Sequence, residues 1–195
     1  MRIAFKEWAV VVDALGRGDQ IVLLRKGGIN EGRSGFQVEH DRFFLFPTLF
    51  HQQRDLVIPA AQARYELLSQ KSPPGTVRIE FLAEVVEWRR VESLEAALRL
   101  RGRHIWREDV IRERFEFGRS KSLYAMAVRV FRLQLPVDLP MLEHYAGCKS
   151  WVELDAAIPT GNALPVLTDR EFAQKLEKFL HALEATGAAA ASAHK

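Results

Sequence analysis

The residues best suited to contact an anionic ligand lie where an apolar run ends, in the sequence LLRKGG. Arg25 and Lys26 place two positive charges side by side, and Gly27 and Gly28 follow them directly. Glycine has no side chain, so the backbone of such a turn can approach an anion closely and offer it N–H donors. We therefore expect Arg25 and Lys26 to contact a ligand, although the glycines would equally serve only to turn the chain.

A second group of polar side chains flanks the aromatic run RFFLF. The group consists of His40 before the run and Thr48, His51 and Gln52 after it. Loops that combine such side chains are common places for function, and an aromatic ring such as that of Phe44 could stack on a base. The alternative is that residues 43–46 belong to the core, and that the polar residues flank an ordinary strand.

Basic residues are concentrated in one part of the chain, because residues 86–132 contain twelve Lys or Arg and seven Asp or Glu. Within this part, Arg107 and Arg114 are seven residues apart, and on a helix both would lie on the apolar side. They would then line a groove for anions, or extend past the apolar surface to reach water. Two further alternatives stay open: the helix ends before Phe115, or the surplus is a solvated helical face.

The sequence lacks the short motifs that identify common catalytic sites. No Asp, Glu or Gln has Lys two positions later, so the carboxylate and lysine pattern of common metal-dependent nucleases is absent. The motifs GxxxxGK[ST], GxGxxG, HExxH and GxSxG are absent as well. The histidines show no close ligand pair. We expect neither a metal nor a cofactor.

Cys148 is the single cysteine of the chain, and His144 lies four residues before it. A Cys–His pair can act as nucleophile and base, but a lone cysteine is more often a small buried residue. We expect Cys148 to pack rather than to react. A single cysteine also excludes an intramolecular disulfide, which fits a reducing cytoplasm.

The composition is that of a globular protein, with 195 residues, 48% hydrophobic residues and a net charge of +3. No apolar run approaches the roughly 20 residues that cross a bilayer, and Glu7 and Trp8 interrupt the segment where a secretory signal would be apolar. We expect a soluble cytoplasmic protein without a membrane partner. One domain would cover residues 1–185 and a disordered tail residues 186–195, and the oligomeric state stays open.

The hydrophobic pattern predicts an α+β fold, with a mostly antiparallel sheet or partly closed barrel and with helices at both termini. Helical spacing predicts a first helix over residues 4–15, and alternation predicts a long strand over residues 77–85 with one buried face. The other predicted strands are residues 20–24, 42–46, 123–135 and 151–154. The other predicted helices are residues 60–69, residues 93–100 and a segment that follows a capping box at Thr168 and Glu171.

Segments along nearly the whole chain, from Phe5 to about Leu183, resemble one protein family. The segments are FKEWAVVVDALGRGDQIVLLRKGGI, HDRFFLFPTLFHQ, HIWREDVIRERF, LYAMAVRVFRL and GCKSWVEL. They are similar to the prokaryotic domain of unknown function 1802 family, and the blocks KEW, LRKGGI and FPT carry the resemblance together. This resemblance implies no activity. Because the family is associated with restriction endonuclease-like domains, it implies a place in a restriction or defence system and a restriction endonuclease-like partner.

The order of the predicted elements is also similar to PUA-like barrels of the EVE and YTH types, which bind RNA or modified bases. That similarity implies a basic groove with an aromatic pocket. Our first hypothesis is a non-catalytic module that binds DNA or RNA, including a modified base in single-stranded or flipped form. The second is a divergent nuclease or base-processing enzyme that uses His40, Asp41 and His51 for acid–base chemistry. The third is a structural partner of a nuclease; the missing nuclease pattern favours binding over cleavage.

Overall fold

In the computed structural model, the described residues (1–26, 38–49, 54–69, 73–118, 120–147 and 149–184) form a seven-stranded sheet and five α-helices. The strands are β1 (Ile3–Trp8), β2 (Val22–Arg25), β3 (Arg42–Thr48), β4 (Thr76–Val91), β5 (Leu123–Pro140), β6 (Trp151–Glu153) and β7 (Leu164–Pro165). The helices are α1 (Ala9–Gly16), α2 (Pro59–Ser69), α3 (Leu94–Arg99), α4 (Glu108–Glu116) and α5 (Asp169–Glu184). Short 3₁₀ helices lie at Arg54–Leu56 and Glu143–Tyr145.

The strand order is β2-β5-β4-β3-β1-β6, and β7 pairs with β5. Strand β1 runs parallel to β3, with Trp8 opposite Thr48, whereas the other pairings among these strands are antiparallel. At the end of β2, the guanidinium of Arg25 donates to the backbone carbonyl of Lys6 in β1. This contact joins strands from distant places in the order, so the sheet curls back on itself. The prediction of an α+β fold with a mostly antiparallel sheet in a partly closed barrel is confirmed.

The long strand β4 buries residues on both faces, which differs from the one buried face that its alternation predicts. Ile79 packs with Leu82 in one core cluster, whereas Phe81 and Ala83 pack in another. The register of β4 against β5 shifts between Ile79 and Phe81. Such an irregularity moves the following side chains to the other face of the sheet. Alternation predicts one buried face made of five residues. Four of them are buried and Val85 is partly buried; the four are Val77, Ile79, Phe81 and Ala83.

The predicted N-terminal helix over residues 4–15 is wrong in its first half. Residues Ile3–Trp8 form strand β1, and helix α1 begins only at Ala9. Strand β1 pairs with β3 on one side and with β6 on the other, which satisfies backbone groups that a helix would otherwise satisfy internally. Strand pairing thus overrides the helical spacing of Ala4 and Trp8. As a result, the residues KEW lie at the end of a strand.

The other predicted elements are confirmed, with differences at their ends; β5, for example, continues from the predicted residue 135 to Pro140. Helix α3 is capped by Ser93, and α5 begins with the predicted capping box, in which the Thr168 N–H donates to Glu171 Oε2 at 2.9 Å. In the part of the chain that the structure describes, no helix is long and apolar enough to cross a membrane. The domain boundary stays a prediction, and the predicted tail lies outside the described residues.

Candidate functional site

A cavity of about 640 Å³ opens where strands β1, β2 and β3 end and strand β4 begins. Its charged lining residues, among those described, are Lys6, Glu7, Asp13, Arg25, Lys26, Arg78, Glu80 and Lys149. Thr48 and Ser150 add hydroxyl groups, and Trp8 and Phe81 add aromatic surface. The fold therefore brings polar groups from distant parts of the sequence to one place.

Strand β1 delivers Lys6 and Glu7 to the cavity. The Lys6 ammonium donates to the backbone carbonyls of Tyr145 and Gly147, at 2.6 Å each. The Glu7 side chain is only 3% exposed, and its Oε1 accepts the N–H of Trp8 at 2.8 Å. Because a buried carboxylate is costly unless it is paired, this position requires a nearby cation.

Arg25 supplies that cation from the end of β2. Its guanidinium donates to the Lys6 carbonyl, lies 4.4 Å from the centroid of the Phe5 ring and places Nη2 at 3.7 Å from Glu7 Oε2. Its Nε is buried and has no hydrogen-bond partner among the described residues. Arg25, which the sequence analysis selected as a ligand contact, thus lies on the cavity wall with a donor that lacks an acceptor.

Lys26 also lines the cavity, but its ammonium is engaged by the protein. It donates to the backbone carbonyls of Phe115 at 2.9 Å, Ser122 at 3.0 Å and Ser120. Burial lowers the pKa of Lys26 below its ordinary value, and the positive charge of Lys121 adds a smaller effect. Lys26 therefore contributes charge to the cavity and also ties the end of β2 to the segment before β5.

Thr48 lies at the end of β3, directly opposite Trp8 in the parallel register. Its hydroxyl donates to the backbone carbonyl of Glu7 at 3.2 Å. The side chain is partly exposed and borders the cavity. The hydroxyl oxygen keeps acceptor capacity for a ligand donor.

Positive charge exceeds negative charge on the cavity wall. Among the described lining residues, five are Lys or Arg and three are Asp or Glu. The carboxylate of Asp13 is already paired, since Arg64 donates to both of its oxygens at 3.0 Å and Arg17 lies at 3.0 Å as well. The hydrogen bond to Asp13 raises the pKa of Arg64. Since Asp13 is neutralised by arginines outside the lining, the cavity favours an anionic ligand.

Arg78, on the β4 side of the cavity, resembles Arg25 in the surroundings of its Nε atom. Its Nε is buried without a hydrogen-bond partner among the described residues, and it lies 3.7 Å from Glu80 Oε1, beyond hydrogen-bond distance. The Nη1 atom lies 3.5 Å from the carboxylate of Asp138. Two arginines of the wall thus each keep one buried N–H without an acceptor.

The aromatic wall at Trp8 is supported from behind by a stack of side chains. The Trp8 and Trp106 rings meet edge to face, with centroids 4.9 Å apart. The guanidinium of Arg114 lies 3.7 Å from the Trp106 centroid and 5.7 Å from that of Trp8. Burial lowers the pKa of Arg114 to about 10. Arg114 therefore supports the aromatic wall, a role that its position in the sequence did not indicate.

The remaining predicted contacts lie away from the cavity or outside the described residues. Phe44 is fully buried in the core, so a base cannot stack on its ring. Arg107 lies outside the cavity lining and pairs with Asp109 at 2.6 Å. His40 packs edge-on against Trp151, with ring centroids 5.1 Å apart, and precedes the strand that Thr48 ends. Five residues named in the sequence analysis lie outside the described residues, namely His51, Gln52, Gly27, Gly28 and Cys148.

Sequence reasoning missed several lining residues for identifiable reasons. Lys6, Glu7 and Trp8 were expected on a helix, where they would not have met the ends of other strands. Arg78 lies in the long predicted strand over residues 77–85, and no pattern in the sequence marked it as a ligand contact. Lys149 lies in a loop whose sequence carries no signal for a site. The pattern that could have identified β1 is the pair Ile3 and Phe5, which suits a strand.

Among the residues that the structure describes, no three His, Cys, Asp or Glu side chains are grouped as ligands for a metal ion.

A family model described as "Domain of unknown function (DUF1802)" matches residues 4–178. No curated protein matches the chain.

Three solved structures of ASCH from Zymomonas mobilis are similar to the chain. The crystal structure of that ASCH is 15% identical, covers 90% of this chain and 92% of its own, and gives a TM-score of 0.47. A mutant of it with one tyrosine replaced by phenylalanine is 16% identical, covers 90% and 95% of the two chains, and gives a TM-score of 0.47. A mutant of it with one serine replaced by alanine is 17% identical, covers 90% and 93%, and gives a TM-score of 0.43.

Proposed function

The chain belongs to the domain of unknown function 1802 family, and we propose that it is a non-catalytic nucleic-acid-binding module that takes a base into its cavity and holds phosphate on the surrounding cations. The cavity volume of about 640 Å³ lies within the range of roughly 300–1,000 Å³ that is usual for small-molecule sites. The partly exposed ring of Trp8 suits the flat face of a base.

The observation that carries this proposal is the excess of cationic side chains on the cavity wall. Among the described lining residues, five are Lys or Arg and three are Asp or Glu, and the carboxylate of Asp13 is paired with Arg64. The side chains of Arg25 and Arg78 are 22% and 32% exposed, so each guanidinium keeps surface that a ligand can contact. Phosphate and base carbonyl oxygens are acceptors that arginine binds.

Thr48 would supply selectivity for the base. Its side chain is partly exposed at the cavity, and its hydroxyl donates to the Glu7 carbonyl, so the hydroxyl oxygen can accept a hydrogen bond from a ligand. Exocyclic amino groups of bases are donors that such acceptors recognise. The proposal therefore predicts preference for bases that present an amino group to the cavity.

The first test is binding of short DNA and RNA oligonucleotides, measured by fluorescence anisotropy over a range of salt concentrations. For single strands, each phosphate contact adds about 0.7 to the magnitude of the slope of log affinity against log salt. Lys149 is exposed at the cavity mouth, so Lys149→Ala should lower both the affinity and the slope by one such contact. Lys178→Ala is the matched control, because Lys178 is exposed on α5 and does not line the cavity.

Thr48→Val separates base recognition from phosphate binding. The substitution keeps the shape of the side chain and removes its hydrogen-bonding group. Loss of one hydrogen bond should weaken binding of the preferred base by about 2–10-fold and leave the salt slope unchanged. If no oligonucleotide binds the wild-type protein at low salt, the proposed function is wrong.

The proposed partner is a restriction endonuclease-like protein, in a restriction or defence system. The support for this part is the association of the family with such domains, and the neighbouring genes provide the test. The alternative of an enzyme that uses His40, Asp41 and His51 has less support, because neither His40 nor Asp41 lines the cavity. Cleavage of DNA or RNA that His40→Ala abolishes would favour the enzyme.

A further inference from the structure

We propose that the exposed Trp88, beside the partly buried Tyr124, forms a second base-stacking surface, which binds the next nucleotides of a single strand whose base occupies the cavity. This inference rests on the proposed function, and it specifies the form of the nucleic acid. The surface is defined by Trp88, Tyr124 and Arg90, where β4 ends and β5 begins beside the end of β2.

Trp88 is open to solvent, whereas Tyr124 beside it is partly buried and packs against the core. Trp88 is 45% exposed although it lies in a sheet strand. Its ring centroid lies 6.3 Å from that of Tyr124, with 37° between the ring planes. Large apolar side chains that remain exposed are informative, because burial of an aromatic ring stabilises a protein strongly. The exposed Trp88 ring offers a face on which a base can stack, and Tyr124 packs beside it.

The strand register connects this pair to the cavity. Arg25 lies opposite Tyr124, and Tyr124 lies opposite Arg90. Directly opposed residues of antiparallel strands project to the same face of the sheet, and Trp88, two residues before Arg90, shares that face. Two strand spacings separate Arg25 from Arg90, which is about 10 Å. A strand that leaves the cavity past Arg25 therefore meets Tyr124 and Trp88 next.

The charge around the pair favours nucleic acid over an apolar protein surface. Arg90 lies on the same face as Trp88, and its side chain is 50% exposed. It pairs with Glu92 at 3.4 Å, but surface ion pairs of this kind are weak, at about 0–1 kcal/mol. Phosphate can therefore compete for the Arg90 guanidinium group. Aromatic rings beside cations are the usual composition of a single-strand binding surface.

The test compares Trp88→Ala with Leu135→Ala in oligonucleotide binding measured by anisotropy. Leu135 is the matched control because it is 81% exposed on the far part of the same strand as Tyr124. When the aromatic ring on which one base stacks is removed, the affinity falls by a factor of about ten or more. We expect Trp88→Ala to weaken binding by about this factor, while Leu135→Ala leaves it unchanged.

A conservative variant gives a readout that lost folding stability would not produce. Stacking of a base on an indole quenches its fluorescence, so the wild-type emission should fall when the oligonucleotide binds. Trp88→Phe should retain most of the affinity, because its ring can still stack, and should lose the part of the quenching that comes from Trp88, while the quenching of Trp8 by the base in the cavity remains. Arg90→Ala should reduce the salt slope by about 0.7, one phosphate contact.

The outcomes separate this inference from the proposed function. If Lys149→Ala and Thr48→Val change binding but Trp88→Ala does not, the stacking surface is wrong and the cavity proposal stands. If Trp88→Ala weakens binding and the cavity variants have no effect, the proposed cavity function is wrong. Binding of a protein partner through Trp88, with no oligonucleotide bound, would overturn both.

Discussion

His104 should make the protein less stable in mild acid. It lies between helices α3 and α4, is 5% exposed, and neither ring nitrogen has a hydrogen-bond partner among the described residues. Burial, followed by the positive charge of Arg114, lowers its pKa from 6.5 to about 4. Arg103 adds a smaller effect in the same direction. The folded protein therefore resists protonation of this histidine, whereas the unfolded chain does not.

The sign and size of the effect follow from linkage between protonation and folding. A folded-state pKa below the unfolded value means that stability is fully present above pH 6.5 and is lost as the pH falls towards 4. A pKa difference of one is equivalent to about 1.4 kcal/mol, so the full contribution of His104 is about 3 kcal/mol, of which about 2 kcal/mol is lost between pH 7.5 and pH 5. For a chain of this length, that loss corresponds to a decrease in Tm of about 4–8 °C.

The assay is urea unfolding at pH 7.5 and pH 5 for the wild type, His104→Gln and His104→Leu. Both substitutions remove the titrating ring, so each variant should lose about 2 kcal/mol less than the wild type over this interval, whatever its stability at pH 7.5. His181→Gln, at an exposed position on α5, is the control and should follow the wild type. Equal pH dependence of the wild type and both His104 variants would refute the reasoning.

Three other predictions concern the surroundings of the cavity. Arg114→Ala should lower the unfolding free energy by about 1–2 kcal/mol, since a partly buried cation–π contact is lost, and should leave the salt slope of oligonucleotide binding unchanged; a changed slope would indicate a direct phosphate contact. Gly16→Ala should destabilise by about 1–3 kcal/mol in urea unfolding, because its Cβ would lie 2.1 Å from the Phe81 ring; a neutral result would contradict the tight packing there. Purified protein should not cleave DNA or RNA in Mg²⁺ or Mn²⁺, assayed against an EDTA control, because the metal-dependent nuclease pattern is absent from the sequence.

Local signals predicted most elements of this fold. The capping box at Thr168 and the cap at Ser93 fixed the starts of two helices, because they depend only on residues within one helical turn. The prediction for residues 4–8 failed because strand β1 is stabilised by partners that are distant in sequence. The register shift near Ile79 could not be predicted from the sequence of β4 either, since it depends on the length of the opposing segment of β5.

The sequence predicted only part of the candidate site, again because contacts between residues distant in sequence form the rest. Arg25, Lys26 and Thr48 were selected from local composition, and all three line the cavity. Their connection to Glu7 was not predicted, because it arises from the parallel pairing of β1 with β3 and from the curl of the sheet. Phe44 was selected by residue type alone, and its ring is buried because strand β3 packs against core clusters on both of its faces.

The most direct test of the central proposal is the response of the tryptophan indole N–H signals in two-dimensional NMR during titration with oligonucleotides at low salt. The chain has four tryptophans, of which Trp8 lines the cavity and Trp151 packs against Phe5 outside the lining. Binding of a base in the cavity should shift the Trp8 signal and leave that of Trp151 in place. A Trp8 signal that stays unchanged with every DNA and RNA sequence, including those that bind, would contradict the proposal.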